Sequence, residues 1–277
     1  MTDTTPISRQ TYELTSWRAD GPYEAIPVLL AYRTDLPGPK PAVVYYHGVA
    51  QAKEVYLDSH PMTRALADAG FVVALPDAPG HGERPAGAAL IDRLRESLPR
   101  EFCRDIEQAG DEASALYDWL AARPEVDGDR LGVIGVSMGG FTATVVASRL
   151  RDRLRAAVAI AGNACLADCM AETDSIASGK WGPPDRAIDA ETAERIRRID
   201  PINYPDKFAP LPLLLLHGEL DTWNPVTTSQ KFMPLLQPTY AAQPDHLRLD
   251  IVPDAPHWPP GAEMIDAAVA WLGDHVR

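Results

Sequence analysis

Ser137 stands between Gly135 and Gly139, at the end of an apolar run that includes Leu131, Val133, Ile134 and Val136. A serine hydroxyl is unreactive at neutral pH. Chemistry at this residue therefore requires a base within hydrogen-bond reach and a third group that orients the base. Chance produces Gly-x-Ser-x-Gly in on the order of one chain in ten of this length at ~7% glycine, so the flanks decide what it means. The run before the serine is short and rich in β-branched residues, as in a strand buried on both faces. Residues 141–150, after it, read as a helix. A strand, a sharp turn carrying serine and a helix would lift the hydroxyl clear of the sheet edge. The same turn accounts for Gly135 and Gly139, because a Cβ at either would collide where strand and helix approach. The first helical turn points free N–H groups towards the serine, where negative charge would develop.

This unit resembles the nucleophile elbow of the α/β-hydrolase fold, and the resemblance implies positions for the remaining chemistry. That family orders its triad as serine, acid, histidine, the acid after a late strand and the histidine after the last. Carried over, the acid is Asp221, just beyond the apolar run 212–217, and the histidine is His257, beyond the alternating run 247–252. Of the seven histidines, His275 falls in a helix, while His47 and His217 end strands. His60, His81 and His246 are loop residues with no relation to the elbow. Glu219, Asp250 and Asp254 compete with Asp221, but only Asp221 occupies the family's acid position. The family draws one oxyanion N–H from the loop after its first buried strand and the other from the residue after the nucleophile. Here that loop is His47-Gly48-Val49-Ala50, so the expected donors are Val49 and Met138.

The remaining elements must position these groups. A turn at 19–22 between apolar stretches at 12–17 and 26–33 reads as an opening antiparallel hairpin, with a loose segment 1–9 before it. Runs 42–46, 71–75, 131–136, 154–161, 211–217 and 247–252 read as strands. Helical patterns fall at 61–70, 102–122, 190–199, 227–236 and 261–275. Asp127 to Arg130 reads as the turn feeding the serine strand. Alternating strand and helix after the hairpin predicts a mostly parallel eight-stranded sheet with helices on both faces. The whole chain, 1–277, is expected to form one α/β-hydrolase domain. A stretch at about 165–210 is longer than a crossover needs, and the resemblance makes it a small cap insertion. Lys53, Glu54 and Tyr56 fall in the loop after His47, either facing solvent or turned towards substrate. Asp77 and His81 shape a Pro- and Gly-rich turn beside the site rather than a metal centre, because no further histidines cluster there.

Composition excludes several classes. A formal charge of −13 argues against nucleic-acid and anionic-membrane partners, and no apolar run is long enough to span a bilayer. Three cysteines, an odd number, with no secretory h-region at the start, point to the reducing cytoplasm. Cys165 and Cys169 could share a helix face, yet without a second pair or a histidine cluster they read as buried thiols, and no metal or cofactor is expected. The resemblance narrows to small cytoplasmic esterases of the prolyl-oligopeptidase and dienelactone-hydrolase branch, with serine at 137 where dienelactone hydrolases use cysteine. It implies a serine hydrolase acting on small-molecule carboxylic esters through an acyl-enzyme. A peptidase or acylpeptide hydrolase is the alternative, set back because 277 residues leave no room for an accessory propeller. A non-catalytic binding protein on the same scaffold is the other. Trp223, Trp258 and Trp181 lie beside the acid, the histidine and in the cap. Indoles crowded near the serine would leave a short apolar acyl pocket.

Overall fold

Strands buried on both faces need apolar residues at successive positions, and β3 (Lys40–Tyr46), β4 (Val72–Pro76) and β7 (Leu213–Gly218) are fully buried along their length. The computed structural model describes residues 7–18, 21–84, 87–172 and 187–277. With β1 (Ile7–Arg18), β2 (Gly21–Arg33), β5 (Val126–Val136), β6 (Ala156–Ile160) and β8 (Leu247–Val252), they form one eight-stranded sheet in the order β1-β2-β4-β3-β5-β6-β7-β8. Only β2 runs against the others: it pairs antiparallel with β1 and β4, and every other pairing is parallel. The opening hairpin starts earlier than its apolar pattern, because Ile7 already pairs with Arg33. Backbone pairing along a long two-stranded ribbon does not require side-chain alternation throughout.

The helices are α1 (Lys53–Asp58), α2 (Pro61–Asp68), α3 (Leu90–Glu96), α4 (Leu98–Ala121), α5 (Met138–Leu150), α6 (Leu166–Glu172), α7 (Ala190–Ile199), α8 (Thr227–Leu236) and α9 (Ala262–Val276). The two faces of β3 divide the core between them. Val44 and Tyr46 join Leu116, Tyr117 and Leu120 of α4 and Val146 of α5. Val43 and Tyr45 join Met62 and Leu66 of α2 and Leu272 of α9. A third apolar cluster brings Ile196 and Ile199 of α7 onto Leu98, Phe102 and Ile106 of α4, and includes Met138 and Phe141 at the start of α5. Glu107 of α4 pairs with Arg195 at 2.8 Å and Arg198 at 2.6 Å, tying α7 to the same helix. The stretch 165–210 thus holds α6, α7 and short 3-10 turns, and its residues 173–186 lie outside the described residues.

Two local expectations need correction. Asp127 to Arg130 does not end before the serine strand but lies within β5, where the register jumps from Lys40↔Val126 to Ala42↔Leu131. Asp127 accepts the N–H of Asp129 and pairs with Arg130, so the turn chemistry survives as an irregularity inside the strand. Lys53 and Tyr56 are not solvent-facing loop residues: both lie on α1 and are fully buried. The Lys53 ammonium is 2.9 Å from Asp77, whose own side chain is inaccessible, with Glu83 and Glu54 closing the other sides. Asp77 also accepts the N–H groups of Lys53 and Glu83, each at 3.0 Å. Burial raises its pKa, but these donors outweigh burial and hold it below the usual value. The pair clamps the loop after β3 to the loop after β4. Lys53→Met should leave a buried carboxylate without its cation and destabilise the fold by about 3–5 kcal/mol, measured by urea unfolding.

Candidate active site

Ser137 joins β5 to α5 with φ 59° and ψ −120°, a conformation that L residues adopt only under constraint from their surroundings. The constraint is contact. A Cβ on Gly135 would overlap the carbonyl of Gly139, and one on Gly139 would overlap the carbonyl of Tyr46. The backbone of Ser137 is fully engaged: its N–H donates to Ile160 of β6 at 2.8 Å and its carbonyl accepts from Gly140 at 2.8 Å. The side chain reaches His257, whose Nε2 lies 2.9 Å from Ser137 Oγ. On the other side of the ring, His257 Nδ1 lies 2.8 Å from Asp221 Oδ2. A carboxylate only accepts, so Nδ1 carries the hydrogen of that bond and Nε2 is left to accept from the serine hydroxyl. Ser137, Asp221 and His257 are 9%, 6% and 6% exposed.

The acid and the histidine come from the ends of adjacent strands, β7 and β8, and their loops are tied to each other. Glu219 N–H donates to Val252 at 3.0 Å, and Leu220 N–H donates to Ala255 at 3.0 Å. Gly218 permits this approach, since a Cβ there would strike the Ala255 carbonyl. The competing acids are elsewhere engaged: Asp250 pairs with Arg248 at 2.6 Å, and Glu219 accepts the N–H of Asp254. Asp221 Oδ1 accepts the N–H groups of Trp223 and Asn224, each at 2.8 Å. Burial acts to raise its pKa, but hydrogen bonding from His217 and His257 prevails and lowers it to about 2.

A cleft opens over Ser137 and His257, lined by Gly48, Val49, Gln51, Tyr56, Trp223 and Trp258. Trp223 stacks on the His257 ring with centroids 4.9 Å apart. Trp258 sits against His60 at 4.9 Å and Tyr56 at 6.0 Å. Trp181 lies outside the described residues. Val49 lines the cleft, and Met138 opens α5 directly after the serine, so its N–H has no intrahelical acceptor. Gly48 N–H is already committed to Tyr56 Oη at 2.9 Å and so is not a free donor towards the cleft. His47 braces the same loop: its Nδ1 is 2.8 Å from the Gly48 carbonyl, and its Nε2 accepts the N–H of Ala78 at 2.9 Å. Among the described residues no group of three or more His, Cys, Asp or Glu could hold a metal ion. His217 is the site residue that sequence reasoning passed over, and Tyr56, left open there between solvent and substrate, lines the cleft. A six-residue helix has too little periodicity to reveal a buried tyrosine, and a histidine ending a strand looks like any other.

The model of the prolyl oligopeptidase family matches residues 59–276 of the chain. The protein belongs to the prolyl oligopeptidase family. Within it, the chain is 29% identical over 235 residues to the putative esterase YitV of Bacillus subtilis, covering 84% of this chain and 88% of that one. It is 30% identical over 264 residues to the esterase YjfP of Escherichia coli, covering 91% and 96%. The crystal structure of TT1662 from Thermus thermophilus superposes with a TM-score of 0.66 at 20% identity, over 96% of this chain and 98% of that one, a likeness of fold. This family member is a hydrolase with relatives named as esterases in a family named for peptidases. No described helix is long and apolar enough to cross a membrane.

The depressed pKa of Asp221 has a consequence for stability. A carboxyl that ionises near 3.8 when unfolded and about 2 when folded contributes stability above pH 4 that is lost as pH falls towards 2. Asp221→Asn should therefore flatten the stability change between pH 4 and pH 2 in urea titrations, relative to wild type.

Proposed function

We propose that the protein is a serine hydrolase of short-acyl carboxylic esters, working through an acyl-enzyme on Ser137, His257 and Asp221. One observation carries the reading: the unbroken Oγ–Nε2 and Nδ1–Oδ2 contacts of 2.9 Å and 2.8 Å at the floor of an open cleft. In the first step Ser137 Oγ attacks the ester carbonyl carbon while His257 Nε2 takes the hydroxyl proton. The carbonyl oxygen becomes an oxyanion, stabilised by the N–H groups of Val49 and Met138. Collapse breaks the bond to the alcohol oxygen, which leaves with the proton held on His257. Water then repeats the sequence against the acyl-enzyme and frees the acid. Asp221 keeps His257 in the tautomer with Nδ1 protonated and stabilises its transient positive charge. Asp221 stays ionised down to about pH 2, so the acid keeps its negative charge in mildly acidic solution.

The ester reading over the peptidase one is supported by the cleft itself. Among the described residues its lining carries no carboxylate to receive a peptide ammonium, and two indoles narrow it. Relatives matched over most of their length carry esterase names. A fluorophosphonate probe should label one serine, and Ser137→Ala should abolish labelling and lower kcat on the order of 10⁴- to 10⁶-fold while the protein stays folded. A folded wild type that does not label would favour a binding protein on a hydrolase scaffold. Across p-nitrophenyl esters, kcat/KM should rise by about 1 kcal/mol per fitting methylene, peak between acetyl and butyryl, and fall by decanoyl. Aminoacyl anilides should be much slower. Faster anilide cleavage would hand the function to the peptidase alternative.

A further inference from the structure

Behind Asp221 lies a second imidazole that the proposed reaction does not use. His217, four residues before the acid and at the end of β7, is fully buried. Its Nε2 is 3.3 Å from Asp221 Oδ2, the same oxygen that faces His257, and 2.7 Å from the carbonyl of Asn224. Both neighbours are acceptors, so Nε2 must carry a hydrogen. Its Nδ1 is 2.7 Å from Ser229 Oγ, which in turn accepts from Asn163 Nδ2 at 2.5 Å. Ser229 and Asn163 are both fully buried. With the Ser229 hydroxyl donating to Nδ1, one tautomer of His217 satisfies every contact of its ring.

Asn224 connects this chain to the acid from the other side. Its N–H donates to Asp221 Oδ1, its side-chain amide donates to Ala161 at 2.5 Å, and its Oδ1 accepts from Cys169 Sγ at 2.9 Å. The Asp221 carboxylate thus meets two backbone N–H groups on Oδ1 and two imidazoles on Oδ2, one at 2.8 Å and one at 3.3 Å. We infer that His217 is a positioning residue for Asp221, the inner end of a buried Asn163–Ser229–His217 relay that holds the carboxylate in the plane of the His257 ring. The inference rests on the triad reading proposed above. The Nε2 hydrogen is held by the Asn224 carbonyl at 2.7 Å and approaches Oδ2 at 3.3 Å, which supports that oxygen without displacing the shorter bond to His257. Take that donor away and a buried carboxylate lobe is unpaired. The carboxylate can then rotate or admit water, and the acceptor that orients His257 is blurred.

The test pairs a removal with a conservative replacement. His217→Met keeps volume and loses both ring nitrogens; His217→Gln keeps an N–H near the position of Nε2. On p-nitrophenyl butyrate the Met variant should lose roughly 10- to 100-fold in kcat, in the range seen when an outer-shell partner is removed, with little change in KM. The Gln variant should recover most of that loss. The pH profile of kcat/KM should also change in the Met variant, because Asp221 loses one of the two imidazoles that face it. A purely structural role would lower urea stability and leave kcat per folded molecule and the pH profile untouched, and that result would overturn the inference. If the Met variant does not fold, Ser229→Ala removes the support of Nδ1 while leaving the ring. It should lower kcat about 3- to 10-fold, and unchanged kcat would again overturn the inference. Fluorophosphonate labelling of wild-type Ser137 is run alongside. Without labelling, the triad reading fails; with labelling and indifferent variants, only the role of His217 fails.

Discussion

The close approach of backbone at the elbow is the constraint on which the site depends. Strand β5 and helix α5 meet so tightly that neither Gly135 nor Gly139 has room for a Cβ, and Ser137 between them is held at positive φ. Such strain persists only where surroundings over-determine it. Here β6 takes the serine N–H, while β3 presents the Tyr46 carbonyl against Gly139. The nucleophile's position is therefore set by three strands and a helix at once. The other groups need only reach a point that the sheet has already defined.

They reach it from loops that are short and mutually braced. The β7 and β8 loops exchange backbone hydrogen bonds, so the Asp221–His257 distance is a property of the sheet edge rather than of two flexible segments. The loop after β3 is treated the same way: Tyr56 takes the Gly48 N–H, His47 joins it to Ala78, and the buried Lys53–Asp77 pair anchors its far end. Preorganisation of this kind lets donors act on developing charge without rearranging at the moment of reaction.

The buried acids illustrate how partners decide charge. Asp200 accepts backbone N–H groups from Cys165, Leu166 and Ile202, yet burial prevails and raises its pKa to about 6. Asp221 is buried too, but two imidazole N–H groups face it and its pKa falls to about 2. The first carboxyl caps the start of α6, where partial neutralisation matters little. The second faces His257 at 2.8 Å, and in the proposed reaction its full negative charge would stabilise the imidazolium.

By itself the sequence determined the local grammar: which runs are strands, that a serine sits in a glycine-flanked turn, and the order in which acid and histidine follow. Those are short-range facts, written in side-chain size and periodicity, so the α/β architecture and the glycine-flanked Ser137 could be read from it, while Asp221 and His257 entered as candidates through the family resemblance. Tertiary structure alone decided what depends on contacts between distant segments. It made Lys53 a buried cation because Asp77 lies opposite, and it turned Asp127 to Arg130 into a strand irregularity because β3 pairs on both sides of them. It brought Tyr56 onto the loop after β3, and it placed His217 behind Asp221 through Ser229, from a helix that follows both residues in the chain. A lysine, a tyrosine or a histidine carries no mark of whether it will meet solvent or a partner. That is settled by packing, since a buried polar group is tolerable only where the fold supplies its complement.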